Sequence, residues 1–454
     1  MARLSMKMSN FQLIVLALFG FFILLGVGVF AAFGGLLGSS SIGPVVIWGT
    51  EDANTMNDLV ATLKSSDKTF ANVTYVQKDA GSYDASLINA MASGSGPDLF
   101  MVSQDDVSSF ADKITPIPYS AVSEGEFTNS YIDEGQIFLA PNGALALPFL
   151  IDPLVMYTNR DLFASAGIAA PPTYWSDFLT IAPKLTSLDQ SNNVQQSAVA
   201  LGTWKNIDHA KDILSTLFMQ AGDPIVSRSQ TGAIGPVFGQ APANAPANPA
   251  ESALRFYTEF ADPGKTTYSW NNALSSSETD FVNGNLAAYF GFASEYATIA
   301  ARNPNLSFTV SVVPQLMGNT THLTFGTMTG VALARTARNP QGALTVAEHL
   351  TGQQAISLVA QKIFLPPVRR DVVIDTSSNA ASAVFVQSSL IARAWLDPAP
   401  SLTDPVFENM VEEVLSGAQD PASAVAEGAQ ALQHVFSETS SGSGASSVPI
   451  SQTP

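Results

Sequence analysis

The sequence predicts an α/β fold built on a mainly parallel sheet, divided into two compact units and preceded by one N-terminal transmembrane helix. Three observations lead there. Strand-like and helix-like apolar patterns alternate after residue 44, the 454-residue length exceeds what one hydrophobic core sustains, and the first residues contain a long uncharged apolar run.

The apolar run extends from Phe11 to Gly35, and no charged residue occurs between Lys7 and Glu51. It exceeds the roughly 20 residues a helix needs to cross a bilayer. Arg3 and Lys7 precede it and no basic residue follows until Lys64, so the positive-inside rule places the N-terminus in the cytoplasm and the rest outside the cell membrane as a single-pass protein. A cleaved signal peptide is the competing reading, with Val29-Phe30-Ala31 as a tolerable cleavage site, but its apolar core would ordinarily be about 7 to 15 residues. The glycines at Gly26 and Gly28 imitate part of a dinucleotide fingerprint and are read as small residues within the membrane helix.

Beyond the linker, Val45 to Trp48, Val73 to Val76 and Asp98 to Val102 read as strands, separated by helical spacing over Thr55 to Leu63 and Tyr83 to Met91. This order implies right-handed crossovers. Ala144 to Leu150 reads as a further strand, with Pro148 suggesting an edge or the strand's end. Helical spacing then dominates over Trp175–Leu185, Asp208–Ala221, Glu251–Phe260, Glu278–Val282, Asn339–Leu350, Gln353–Ala360 and Val406–Leu415, with one strand at Phe308–Val313. Gln240 to Pro249, alternating Ala, Pro and Asn, reads as a surface loop, and residues 437–454, rich in Ser and Gly, as a disordered tail.

Composition narrows the chemistry. A formal charge of −18 opposes binding to a phosphate backbone, so no nucleic-acid partner is expected. The absence of cysteine excludes disulfides, thiolate metal sites and a cysteine nucleophile. His209, His322, His349 and His434 stand at no metal-ligand spacing, and neither a metal nor a cofactor is expected. Ser65-Ser66-Asp67-Lys68 matches Ser-x-x-Lys without its partner motifs and reads as a polar loop. Paired carboxylates of a glycosidase come from positions distant in sequence, so composition leaves that reading open.

Four segments occur in the order found in one family: GSGPDLFMV (Gly94 to Val102), ALPFLIDPLVMYTNRDLFASAGIAAPPTYWSDF (Ala146 to Phe178), FVNGNLAAYFG (Phe281 to Gly291) and FGTMTGVALARTARNPQGALTVAEHL (Phe325 to Leu350). Together they span most of Pro44 to Phe436, and the chain resembles the family 1 extracellular solute-binding proteins, relatives of the maltose-binding protein. The resemblance implies no enzymatic activity. It implies a two-lobe periplasmic-binding-protein-like (type II) fold whose deep inter-lobe cleft captures a small solute, in this case a mono- or oligosaccharide, and delivers it to the permease subunits of an ABC importer. The expected organisation is 1–43 for the cytoplasmic stub, anchor and linker, 44–150 plus 308–338 for lobe 1, 151–307 plus 339–436 for lobe 2, and 437–454 for the tail. The sequence departs from the family in lacking the cysteine of a lipoprotein anchor, for which the membrane span substitutes, and in carrying Phe292-Ala293-Ser294-Glu295-Tyr296 where many relatives have a sugar-stacking tryptophan. Tyr174 stands where a hydroxyl N-cap is common, so Trp175 is expected to pack rather than to bind. A membrane-tethered carbohydrate-active enzyme, or a surface receptor or adhesin that uses the same fold without transport, are the alternatives.

Matching by position places the ligand against loops at strand ends: Glu51 and Asp52, then Ser103, Gln104 and Asp105, and Asp152 where the chain crosses between lobes. A carboxylate accepts hydroxyl hydrogen bonds on both oxygens, which suits a sugar and repels phosphate. Trp204, Phe292, Tyr296, Phe325 and Trp395 are the aromatic candidates for stacking on a pyranose, Trp204 foremost.

Overall fold

The computed structural model describes residues 42–229, 233–240, 247–377 and 379–442. The expected membrane span lies outside them. No helix among the described residues is long and apolar enough to cross a membrane.

The main strands are β1 (Val45–Gly49), β2 (Val73–Gln77), β3 (Leu99–Ser103), β4 (Leu147–Asn159), β5 (Val194–Val199), β6 (Leu286–Phe292), β7 (Phe308–Val312) and β8 (Thr324–Leu333). Their order in the sheet is β2-β1-β3-β8-β4-β6-β5, and β7 pairs with β4. The first three strands are parallel, as the alternation of strands and helices requires. Helices α1 (Ala53–Ser66) and α2 (Tyr83–Ala92) supply the crossovers. Met56, Leu59, Val60 and Leu63 of α1 recur at helical spacing and are buried.

The long strand β4 organises the molecule. Its residues up to Ile151 belong to one apolar cluster with β1, β2 and β3, and those from Leu154 onward to a second with β5 and β6. The chain therefore leaves one lobe and enters the other at Asp152 and Pro153. It recrosses within β8, where Phe325 packs in the second core and Met328 in the first, and again at Ala392 to Leu396. Asp152 is the sole charged residue in β4. Burying it in either core would cost several kcal/mol unless it were neutralised, so the crossing is where it is tolerated.

Several expectations shift. Pro148 does not mark an edge: β4 lies between β8 and β6, and the missing N–H falls where the β4–β8 register slips between Thr329 and Gly330. Residues 308–312, expected in lobe 1, form β7 and pair antiparallel with the second-lobe half of β4. The next longer helices are α3 (Ala210–Ala221), α4 (Pro249–Glu259), α5 (Pro340–Leu350) and α6 (Gln353–Ile363). Helices α5 and α6, expected in lobe 2, bury Val346, Leu350, Ile356 and Val359 in the first core. Helices α7 (Ala380–Leu390), α8 (Pro400–Leu415) and α9 (Pro421–Gly442) follow in the second lobe. Helix α9 continues through Gly442, into the stretch read as a disordered tail, because Leu432, Val435 and Phe436 give its last turns a buried face. Trp175 packs as expected: it is 2% exposed, lies against Phe290, and donates its indole N–H to Gln220 Oε1 at 2.7 Å. At this helix start Asp177 supplies the reciprocal half of a capping box, its carboxylate accepting from the N–H groups of Thr173 and Tyr174.

Candidate ligand-binding cleft

A cavity of about 370 Å³ opens where the lobes meet. Asp105, in the loop after β3, lines its first-lobe side; Trp204, His209, Lys211 and Asp212 approach from the second lobe; Phe325, Trp395 and Asp397 come from the crossings, with Asp404 from α8.

Helix α3 sets this geometry. It hydrogen-bonds the crossings through its buried polar side: Thr216 Oγ1 accepts from the Phe325 N–H, Ser215 Oγ from the Trp395 indole, and Gln220 Nε2 donates to the Leu323 carbonyl. Its N-terminus faces the cavity, and His209 there adopts left-handed backbone at φ 60°, a region in which His, with Asn and Asp, is found more often than other side chains.

The cations of the site are already committed. Lys211 Nζ donates to Asp397 Oδ2 at 2.7 Å, to Thr403 Oγ1 at 2.8 Å and to the Asp404 carboxylate, which accounts for all three of its donors. Burial alone would lower its pKa, but Asp397 and Asp404 outweigh it and the group stands above the ordinary lysine value. His209 Nε2 lies 2.6 Å from Glu295 Oε1, and Nδ1 lies 3.7 Å from Asp212. Burial opposes its charge, yet the Glu295 hydrogen bond and the surrounding carboxylates raise the imidazole pKa.

The carboxylates retain acceptor capacity. Burial pushes Asp105 up to about 7, with the Asp397 and Asp212 charges adding to it. Burial likewise pushes Asp212 up to about 6 against the pull of His209 and Lys211. Asp152 sits beside the site at the first crossing, where its Oδ1 accepts from the Ser294 N–H at 3.0 Å and burial raises it to about 6. Trp204 is half-buried, packs in part against the second core, lines the cavity and pairs with no other ring among the described residues. Trp395 stacks on Phe407 at 5.9 Å and offers less.

Of the residues singled out from sequence, Asp105, Trp204, Phe325 and Trp395 converge on this cavity, and Asp152 lies at its edge. The others have different duties. Asp52 caps α1, its Oδ1 accepting from Thr55 N–H at 2.8 Å. Glu51 is held at the end of β1 by Tyr75, whose hydroxyl donates to its carbonyl. Ser103 donates to Asp106 at 2.6 Å, and Gln104, fully buried, accepts from Met328 N–H and braces β3 against β8. Phe292 meets the edge of His209 at 4.7 Å behind the cavity wall, and Tyr296 packs among Phe308, Phe364 and Phe385. Sequence reasoning missed His209, Lys211, Asp212, Asp397 and Asp404. The nearest signal was charge at the start of a predicted helix, a common place for a solvated side chain. Among the described residues no cluster of His, Asp and Glu could hold a metal ion.

Two α/β lobes joined by three crossings, with a polar and aromatic cavity between them, define a protein that closes on a small solute. The chain belongs to the family of bacterial extracellular solute-binding proteins, whose sequence profile matches residues 49–356. Its lobes are therefore extracytoplasmic, and it is a binding protein rather than an enzyme. Solved structures share the fold: the cyclic α-maltosyl-1,6-maltose binding protein of Arthrobacter globiformis is 17% identical, with a TM-score of 0.71 over 87% of this chain and 100% of that one. A tagatose-bound solute-binding protein of an ABC transporter from Thermotoga lettingae is 20% identical, with a TM-score of 0.64 over 87% and 100%. A Mycobacterium tuberculosis protein in complex with glycerophosphocholine is 16% identical, with a TM-score of 0.66 over 87% and 99%. No curated protein sequence matches the chain.

Proposed function

We propose that this protein captures a small carbohydrate in the inter-lobe cavity and delivers it to an ABC importer, held beside that importer by the N-terminal apolar span. The observation that carries the reading is the division of labour in the cleft. Asp105 and Asp212 have no donor within hydrogen-bond distance among the described residues, whereas every donor of Lys211 is used. A ligand that brings hydroxyl donors completes such a site, and one that brings a phosphate finds carboxylates and a saturated cation. The Trp204 indole, which lines the cavity, suits the apolar face of a pyranose ring.

Ligand bridging Asp105 of one lobe and Trp204 of the other favours the closed arrangement, and the closed form is the one a permease would receive. The membrane span in residues 11–35 raises the local concentration of the loaded protein at the importer. The full-length protein is to be unfolded thermally against mono- and oligosaccharides, with amino acids, peptides and glycerophosphodiesters as controls. A sugar at 100 times its dissociation constant adds about 2.7 kcal/mol to stability and raises the midpoint. A rise with a control class and with no sugar refutes the carbohydrate assignment. Labelling of residues ahead of the span from the cytoplasmic side tests the anchor.

A further inference from the structure

A second cavity, of about 730 Å³, also lies between the lobes and shares only Trp395 with the first. Asp133 and Glu134 wall it from the first lobe, Met219, Val226 and Arg228 from the second, and the third crossing runs through it at Arg393.

Its electrostatics are the reverse of the cleft's. Asp133 is shared by two guanidinium groups, that of Arg393 at 2.7 Å and that of Arg370. Arg228, exposed at the cavity's rim, has no carboxylate within 4 Å among the described residues; its one hydrogen bond is a 3.5 Å contact to the Ile137 carbonyl. Two arginines, Arg228 and Arg393, therefore line the cavity, and its one aspartate is already paired, in a chain that carries −18 overall. Glu134 is the second carboxyl of the wall and is 3% exposed. One oxygen accepts from the Ala394 N–H at 2.9 Å, and Oε1 is buried without a partner. Glu134 therefore belongs to the wall's structure, and the group that remains open to an occupant is the Arg228 guanidinium.

We propose that this second cavity is a binding site for a small organic anion with an apolar body, its head on Arg228 and its apolar part on Met219 and Val226. Burial pushes the Glu134 carboxyl up to about 8, so at neutral pH it adds no negative charge to the wall to repel the ligand. The site differs in kind from the sugar cleft. Its free group is a cation, where the cleft's free groups are carboxylates.

The test is titration calorimetry of the full-length protein with benzoate and phenyl phosphate as probes and benzamide as the neutral isostere. The expected result is saturable binding of at least one anion at one site per chain, with benzamide at least tenfold weaker. Arg228→Ala is expected to weaken the anion at least tenfold while Arg228→Lys retains most of the affinity. Because Arg228 is exposed on a short hairpin, both variants are expected to unfold at the wild-type midpoint, and Arg228→Gln serves if the alanine variant does not. Absence of binding by either anion, equal binding of benzamide, or unchanged affinity in Arg228→Ala overturns the proposal. Loss of anion binding in Trp204→Ala with retention in Arg228→Ala would place the anion in the sugar cleft and equally overturn it.

Discussion

Asp105 makes the proposed sugar cleft sensitive to pH in a way that can be worked out in advance. Its carboxyl is pushed up to about 7 by burial and by the neighbouring Asp397 and Asp212 charges. Only the ionised form accepts ligand hydroxyls on both oxygens without presenting a proton of its own. With that pKa, the ionised fraction is about 0.9 at pH 8 and about 0.01 at pH 5, and the apparent dissociation constant is the intrinsic one divided by this fraction. Affinity is therefore expected to fall about a hundredfold between pH 8 and pH 5, close to 2.7 kcal/mol. The assay is titration calorimetry with the sugar that most stabilises the protein, at half-unit steps of pH. Asp105→Asn, neutral throughout, is expected to bind at pH 8 about as weakly as the wild type does at pH 5, a loss of up to about a hundredfold, having lost a charged acceptor worth about 1.5–3 kcal/mol. It is also expected to lose most of the slope above pH 6. Asp152 and Asp212, each raised to about 6, leave a smaller dependence below that. An affinity that is flat from pH 5 to 8 in the wild type, or an undiminished slope in Asp105→Asn, refutes the reasoning.

Three further variants probe the same framework. Trp204→Ala is expected to weaken sugar binding up to roughly tenfold by removing about 0.5–1.5 kcal/mol of aromatic contact, with the protein still folded because the ring packs against the core only in part; an unchanged dissociation constant removes Trp204 from the site. Lys211→Met leaves Asp397, whose side chain is 3% exposed, without its partner, and is expected to cost about 3–5 kcal/mol in denaturant unfolding; a loss below 1 kcal/mol contradicts the buried pairing. Glu134→Gln tests burial at the second cavity. The folded pKa of about 8 lies above the ordinary value of 4.5, so the native state binds the extra proton between these values, and that contribution to stability is lost as pH rises through the window. Wild-type stability is expected to decline there by up to about 1.4 kcal/mol per pH unit. Glu134→Gln should match the wild type near pH 4.5 and exceed it near pH 8, and parallel pH profiles of the two proteins would show that Glu134 is not held neutral.

Local pattern carried much of the framework. The β-branched run at Val45, the helical stripe Met56-Leu59-Val60-Leu63 and the Asn339-Pro340 helix start are short-range signals, and the structure realises them with the expected partners because each depends on neighbours within a few residues. The position of Asp152 at a crossing was also legible, through the resemblance that matched it to the segment passing between lobes. Sheet order was not. Residues 308–312 and α5 exchanged lobes relative to expectation, since which strand pairs with β4, and which core a helix stripe covers, are settled by contacts more than a hundred residues apart in the chain. The same holds for the cleft. Asp105, His209, Lys211, Asp397 and Asp404 come from three distant segments, and each taken alone resembles an ordinary solvated loop or helix-end charge. Their burial, their pairing and their shifted proton affinities exist only once the crossings bring the lobes together, because desolvation and Coulomb interaction depend on distance in space and leave no trace in spacing along the chain.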